Sequence, residues 1–212
     1  MKYIENNNKE QIIMHISKPP NYISTNNRVF IYNNVLSHTL LKECINYVNN
    51  CIDNNFYTTT NILSWDKHIK GKSNEIKVIK LDKENKILKK KICYELKNIL
   101  NLNIEGIKLN LHIMQEGCYV NDHSDNHVEY GFTIYLNETW ESEDGGIFQF
   151  DIDNLTYEFI PSYNTMVILK DNIHRVTKIN SNKLRITIQG FYSNSFYYKD
   201  KPIDFFYNNK NV

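Results

Sequence analysis

The sequence has no excess of charge, no paired cysteines and no long apolar run, and each absence removes a class of function. Its 25 Lys and Arg stand against 24 Asp and Glu, a formal net charge of +1. No long-range field therefore draws the chain onto nucleic acid or an anionic membrane. The cysteines Cys44, Cys51, Cys93 and Cys118 form no CxxC pair and no zinc-type spacing. They read as reduced thiols in a cytosol-like compartment. The polar start MKYIENNNKEQ lacks the apolar stretch of a signal peptide, and no apolar run is long enough to cross a bilayer. The expectation is a soluble cytoplasmic protein with neither nucleic acid nor membrane as partner. No internal repeat divides the chain.

What is present suffices for one packed domain. Hydrophobic residues make up 41% and aromatics 13% of 212 residues, with 15 Tyr and 10 Phe, which excludes disorder by composition. Residues 1–26 are polar, carry Pro19-Pro20, and read as an irregular lead-in. Residues 27–212 read as a single domain, with helical support over about 27–106 and a β-core over about 107–195. Arg28–Tyr32 reads as a strand. Ser37 is a plausible N-cap for a helix burying Leu40, Leu41, Cys44, Ile45 and Val48. Residues 53–62 read as loop and 76–81 as strand. The spacing predicts a helix over 83–100, with Ile87, Ile92, Leu96 and Leu100 on one face. Its basic run Lys86–Lys91 is a solvated face. From about residue 107 the period becomes alternating, with strands expected at 107–114, 130–137, 147–151, 155–160, 165–169 and 184–192. Helices followed by many short strands indicate a mainly β fold with the helices packed on a sheet.

The chemistry concentrates in Asn121-Asp-His123-Ser-Asp125. On a strand, residues i and i+2 point to the same side, so His123 and Asp125 present an imidazole and a carboxylate to one ion. That is two-thirds of the facial triad of non-haem iron oxygenases. His127 and Glu129 form a rival pair at the same spacing. His174 follows some fifty residues later, after several strands. Arg185 then opens the strand Arg185-Ile-Thr-Ile-Gln-Gly-Phe-Tyr192, whose alternation sets Arg185, Thr187, Gln189 and Phe191 on one face. A planar guanidinium binds a carboxylate bidentately. A buried arginine must be answered by a ligand or by an internal Asp or Glu.

These residues resemble the prolyl 4-hydroxylase-like branch of the 2-oxoglutarate oxygenases. The resemblance runs from about 107 to 192, with a weaker echo at Val29–Asn50. It rests on Gly117-Cys-Tyr-Val-Asn-Asp-His123-Ser-Asp125, Thr133-Ile-Tyr-Leu-Asn137 with Trp140, Gly145-Gly-Ile-Phe148, His174-Arg-Val-Thr177 and Arg185-Ile-Thr-Ile. It implies a double-stranded β-helix, or jelly roll, with iron(II), 2-oxoglutarate and O2 as cofactors, and leaves ascorbate open. By position it implies His123, Asp125 and His174 as iron ligands and Arg185 as the anchor of the 2-oxoglutarate C5-carboxylate. Tyr135 matches a tyrosine that shares that carboxylate, Thr133 lies on the same strand face, and Phe148 matches an apolar lining residue. A family tyrosine ahead of the H-x-D has no clear counterpart unless it is Tyr119. Decarboxylation of 2-oxoglutarate to succinate would be coupled to hydroxylation of a C–H bond, by analogy that of a prolyl residue in a protein or peptide. The alternatives are a lysyl residue, a free amino acid or another small molecule, a metal hydrolase, and a non-catalytic jelly-roll binding protein. Segments 53–75 and 196–210 are the expected substrate contacts. Oligomeric state is left open.

Overall fold

The computed structural model describes residues 14–16, 22–25, 29–60, 76–100, 106–125, 128–153, 155–170 and 172–193. In chain order these form β1 (Met14–Ile16), β2 (Tyr22–Thr25), β3 (Val29–Asn33), α1 (His38–Asp53), β4 (Thr58–Thr60), β5 (Ile76–Lys80), α2 (Leu81–Glu84) and α3 (Lys86–Leu100). The β-core follows as β6 (Ile107–Met114), β7 (Val120–His123), β8 (Tyr130–Tyr135), β9 (Phe148–Ile152), β10 (Leu155–Phe159), β11 (Thr165–Leu169), β12 (His174–Val176) and β13 (Arg185–Tyr192). The larger sheet runs β2-β3-β11-β8-β13-β6-β5-β4 and the smaller β1-β10-β9-β12-β7. This is the expected jelly-roll core with flanking helices. Among the described residues no helix is long and apolar enough to cross a membrane.

The larger sheet is buried on both faces, and alternation sorts its side chains. From β8, Tyr130, Phe132 and Ile134 join one cluster with Leu40, Leu41, Cys44 and Val48 of α1 and Leu88, Ile92 and Leu96 of α3. Tyr135, from the opposite face of β8, joins a second cluster between the sheets with Met114, Phe148, Phe150 and Val167. Gly190 of β13 lies under the Phe132 ring. A Cβ there would meet Phe132 Cζ at 1.9 Å, and neither sheet nor helices leave the ring room to move. Gly190→Ala should therefore cost about 3 kcal/mol, the upper end of ordinary overpacking, read as a lower urea midpoint with an unchanged denaturant slope.

Several local expectations are revised. The helix expected over 83–100 is broken at Asn85 (φ −150°) into α2 and α3. The Asn85 side chain accepts from Leu88 N at 2.9 Å and so caps α3 instead of continuing α2. Ile87 is consequently 69% exposed, and Leu88, one position on, takes the buried place. Ser37 caps α1 as expected, accepting from Leu40 N. Thr58–Thr60, expected as loop, pairs with β5, while Met14–Ile16 and Tyr22–Thr25, expected as irregular, pair with β10 and β3. These are edge pairings made by backbone groups, which leave no hydrophobic period to read. Residues 61–75 and 194–212, including most of both expected substrate contacts, lie outside the described residues, as does His127.

Candidate metal and carboxylate site

His123 ends β7 and His174 begins β12, and the two are direct partners across the smaller sheet. Asp125 follows β7 by two residues. One donor atom from each of His123, Asp125 and His174 lies within 4.8 Å of the others, with His174 Nε2 3.6 Å from Asp125 Oδ2 and the imidazole centroids 4.0 Å apart. Each Nδ1 meets a backbone carbonyl: His123 that of Asn121 at 2.8 Å, His174 that of Asn172 at 2.9 Å. That arrangement holds the proton on Nδ1 and turns both Nε2 lone pairs toward the cavity, the tautomer that ligates metal. Burial and the neighbouring His123 hold His174 down at about 4, against the pull of Asp125, so its imidazole is neutral at physiological pH. Asp125 fits because residue 131 is glycine, where a Cβ would come within 3.0 Å of Asp125 Oδ2. Two imidazole nitrogens and a carboxylate oxygen converging from one side form a donor set for one divalent metal.

The triad opens into a cavity of about 310 Å³ between the sheets, whose lining includes Thr133, Phe148 and, at the first residue of β13, Arg185. Arg185 is 3% exposed. Its Nε donates to Gly146 O at 3.1 Å, Nη1 lies 3.6 Å from Met114 Sδ, and the guanidinium sits 5.2 Å from the centroid of the Tyr135 ring. Among the described residues no carboxylate pairs with it. Burial accordingly pushes its pKa down, with the Tyr135 hydroxyl the group that opposes the shift. Tyr135 is itself fully buried and its hydroxyl has no hydrogen-bond partner among the described residues. Burial pushes that phenol up to about 12 against the pull of Arg185, so it remains a neutral donor. Gly146 is positioned in turn by Gly145, whose carbonyl accepts from Trp140 Nε1 at 2.8 Å; both glycines have positive φ, 68° and 60°. Among the described residues, a buried cation without an acid partner and a buried hydroxyl without an acceptor make a receptor for a carboxylate.

Residues 109–193 match the 2OG-Fe(II) oxygenase superfamily. The matched stretch contains His123, Asp125, His174 and Arg185. Among curated proteins no sequence matches the chain significantly. The fold of this chain is similar to that of a prolyl hydroxylase from Trichoplax adhaerens, solved with a hypoxia inducible factor oxygen degradation domain peptide fragment. Identity there is 18%, coverage 80% of this chain and 85% of that one, and the TM-score 0.63. A prolyl-4-hydroxylase from Pseudomonas putida gives 14%, 78%, 91% and 0.58. A non-heme alpha ketoglutarate dependent epimerase from nogalamycin biosynthesis gives 8%, 77%, 76% and 0.56. The oxygenase family uses iron(II), 2-oxoglutarate and O2.

Of the residues singled out in the sequence, His123, Asp125 and His174 are brought together, Arg185 and Tyr135 are in contact, and Thr133 and Phe148 line the cavity. Thr133 donates to Gln189 Oε1 at 2.7 Å. Tyr119 is not among the lining residues. Met114, at the end of β6 and in register with Arg185, faces the cavity beside that guanidinium. His112 and Asn110, on the same face of β6, also line it. Burial and Arg185 hold His112 down at about 3, a neutral imidazole at any physiological pH. Strand alternation on β6, once registered against β13, would have found all three. The sequence by itself does not supply that register.

Proposed function

We propose that His123, Asp125 and His174 hold iron(II), that Arg185 with Tyr135 receives the C5-carboxylate of 2-oxoglutarate, and that the enzyme hydroxylates a prolyl residue of a protein or peptide. The observation that carries the reading is Arg185. A buried guanidinium with no acid partner among the described residues costs stability, and it lines the same cavity as a converging His, Asp and His set. An anion completes it, and one anchored there extends through the cavity toward the triad. The donor set, two imidazole nitrogens and a carboxylate oxygen, fits iron(II). A cavity of about 310 Å³ matches a small co-substrate better than a bulky cofactor.

Held by these residues, iron(II) would activate O2, with 2-oxoglutarate supplying two electrons and leaving as succinate and carbon dioxide, one oxygen atom entering the succinate and the other the substrate C–H bond. The chain's own part is orientation and exclusion. The Nδ1 bonds to Asn121 O and Asn172 O fix both rings. Arg185 and neutral Tyr135 pin the far carboxylate. Phe148, Val167 and Leu169 wall the cavity with apolar surface, which keeps bulk water from the reacting centre. No proton-transferring side chain is required.

Likeness to two prolyl hydroxylases, one solved with a peptide, supports the choice of substrate class. Likeness to an epimerase supports a second reading, the same centre acting on a C–H bond of a small molecule. Incubation with iron(II), 2-oxoglutarate and air, followed by succinate assay and mass analysis of proline- and lysine-containing peptides, separates them. Iron-dependent succinate with a proline peptide heavier by one oxygen atom is the expected result. Succinate formation that no peptide stimulates would move the substrate to small molecules. No succinate and no metal binding would replace the enzyme by a binding protein.

A further inference from the structure

Arg175 follows His174 and points to the other side of β12, away from the cavity. Its guanidinium has five N–H groups, and the structure shows five contacts. Nε donates to Gln149 Oε1 at 2.7 Å. Nη1 donates to Asp122 Oδ1 at 2.9 Å and Asp151 Oδ2 at 3.1 Å. Nη2 donates to Asp151 Oδ1 at 3.1 Å and Thr156 Oγ1 at 3.2 Å. Those acceptors stand on β7, β9 and β10, so one side chain joins four of the five strands of the smaller sheet.

The strand most in need of this is β7, which carries His123 and leads to Asp125. Among the described residues it is the sheet's edge and pairs with β12 alone, through two register positions separated by an irregularity. Asp122 is its outward residue, next to His123, and its ion pair with Arg175 is a second tether across that loose pairing. The network also reaches the ring partners. Asp151 O accepts from Asn172 Nδ2 at 2.9 Å, and Asn172 O is the carbonyl that holds His174 Nδ1. Asn121, whose carbonyl holds His123 Nδ1, precedes Asp122.

We propose that Arg175, acting through Asp122 and Asp151, is a positioning residue that fixes the separation and angle of His123, Asp125 and His174 from behind the sheet. The inference rests on the reading that this triad holds the metal. A partly exposed ion pair such as Arg175–Asp122, with side chains 20% and 64% exposed, adds little to global stability. Its effect is on geometry, because the same three donors, allowed to splay, still fold but no longer converge. Groups that orient ligands are worth about 10–100-fold in metal affinity.

The test is anaerobic titration of the full chain with cobalt(II), which reads affinity and, through its d–d bands, coordination geometry. Arg175→Met keeps the stem and removes all five donors. It should bind cobalt(II) about 10–100-fold more weakly, with shifted bands. Arg175→Lys, a single point charge without the fork, should recover only part of the affinity. Asp122→Asn removes the β7 ion pair while leaving the contacts to β9 and β10; it should weaken binding by a smaller factor and shift the bands even if Arg175→Met fails to fold. Wild-type affinity and spectrum in Arg175→Met, or in Asp122→Asn where Arg175→Met does not fold, overturns the inference, whatever happens to the melting temperature. A wild type that binds no cobalt(II) is a separate outcome, which removes the metal reading itself and this inference with it.

Discussion

Arg185→Met is expected to make the ligand-free protein more stable and, at the same time, unable to use 2-oxoglutarate. The two effects share one cause. Arg185 is 3% exposed and, among the described residues, meets a carbonyl, a thioether and the Tyr135 side chain, so folding strips a guanidinium of water without an acid from those residues to answer it. Replacing a buried charge by an apolar side chain of similar length is commonly stabilising by about 1–4 kcal/mol. The lost bond to Gly146 O offsets about 1 kcal/mol of that gain. With co-substrate present the sign reverses. Removing one partner of a buried charge pair costs about 2–5 kcal/mol of binding, which raises the 2-oxoglutarate Kd by about thirtyfold to a few thousandfold. Thermal melts of both proteins, with and without iron(II) and 2-oxoglutarate under argon, read both effects at once. The wild type should gain about 2.7 kcal/mol at a hundred times its Kd and the variant less than about 1 kcal/mol. A variant less stable when empty, or stabilised by 2-oxoglutarate as much as the wild type, would mean that Arg185 is a structural residue with another partner.

His174→Ala should reduce iron-dependent succinate formation by more than about a hundredfold, since even groups that merely orient a ligand are worth 10–100-fold. His174 is 5% exposed and pairs directly with His123, so the alanine leaves two donors and a gap lined by Phe148. His123→Ala should do the same. His127→Ala is the control, because His127 with Glu129 forms the competing pair in the sequence. Loss of iron binding in His127→Ala with retention in His123→Ala would transfer the metal to that pair. Separate measurement of iron(II) affinity without oxygen distinguishes a lost ligand from a misfolded chain.

How much of this was legible beforehand follows from which interactions leave a local trace. The six expected core strands all form, with ends displaced by no more than two residues, because each buries one or both faces and carries a period of two. Strands β7 and β12 left no such trace. Both are three or four residues long, polar, and hold donors where other strands hold core. The break at Asn85 was equally hidden, since a helical period continues through it and only the capping bond to Leu88 shows that the helix restarts. Ile87 was misplaced for that reason.

For the site, residue types and order were enough to nominate His123, Asp125, His174 and Arg185 together with the chemistry those types serve. A carboxylate two residues from an imidazole, a distant second histidine and a strand-opening arginine are statements about sequence alone. Three things were left to the tertiary structure. Met114 rather than Tyr119 lies beside Arg185, because that depends on how β6 registers against β13. Among the described residues Arg185 has no acid to answer it, because which Asp or Glu could pair with it depends on where the strands place them. Arg175 holds the back of the triad, because its five acceptors come from positions 122, 149, 151 and 156 and meet only once four strands are aligned. Local sequence records period and residue chemistry; register and the absence of a partner are properties of the assembled sheets, decided by pairings across tens of residues.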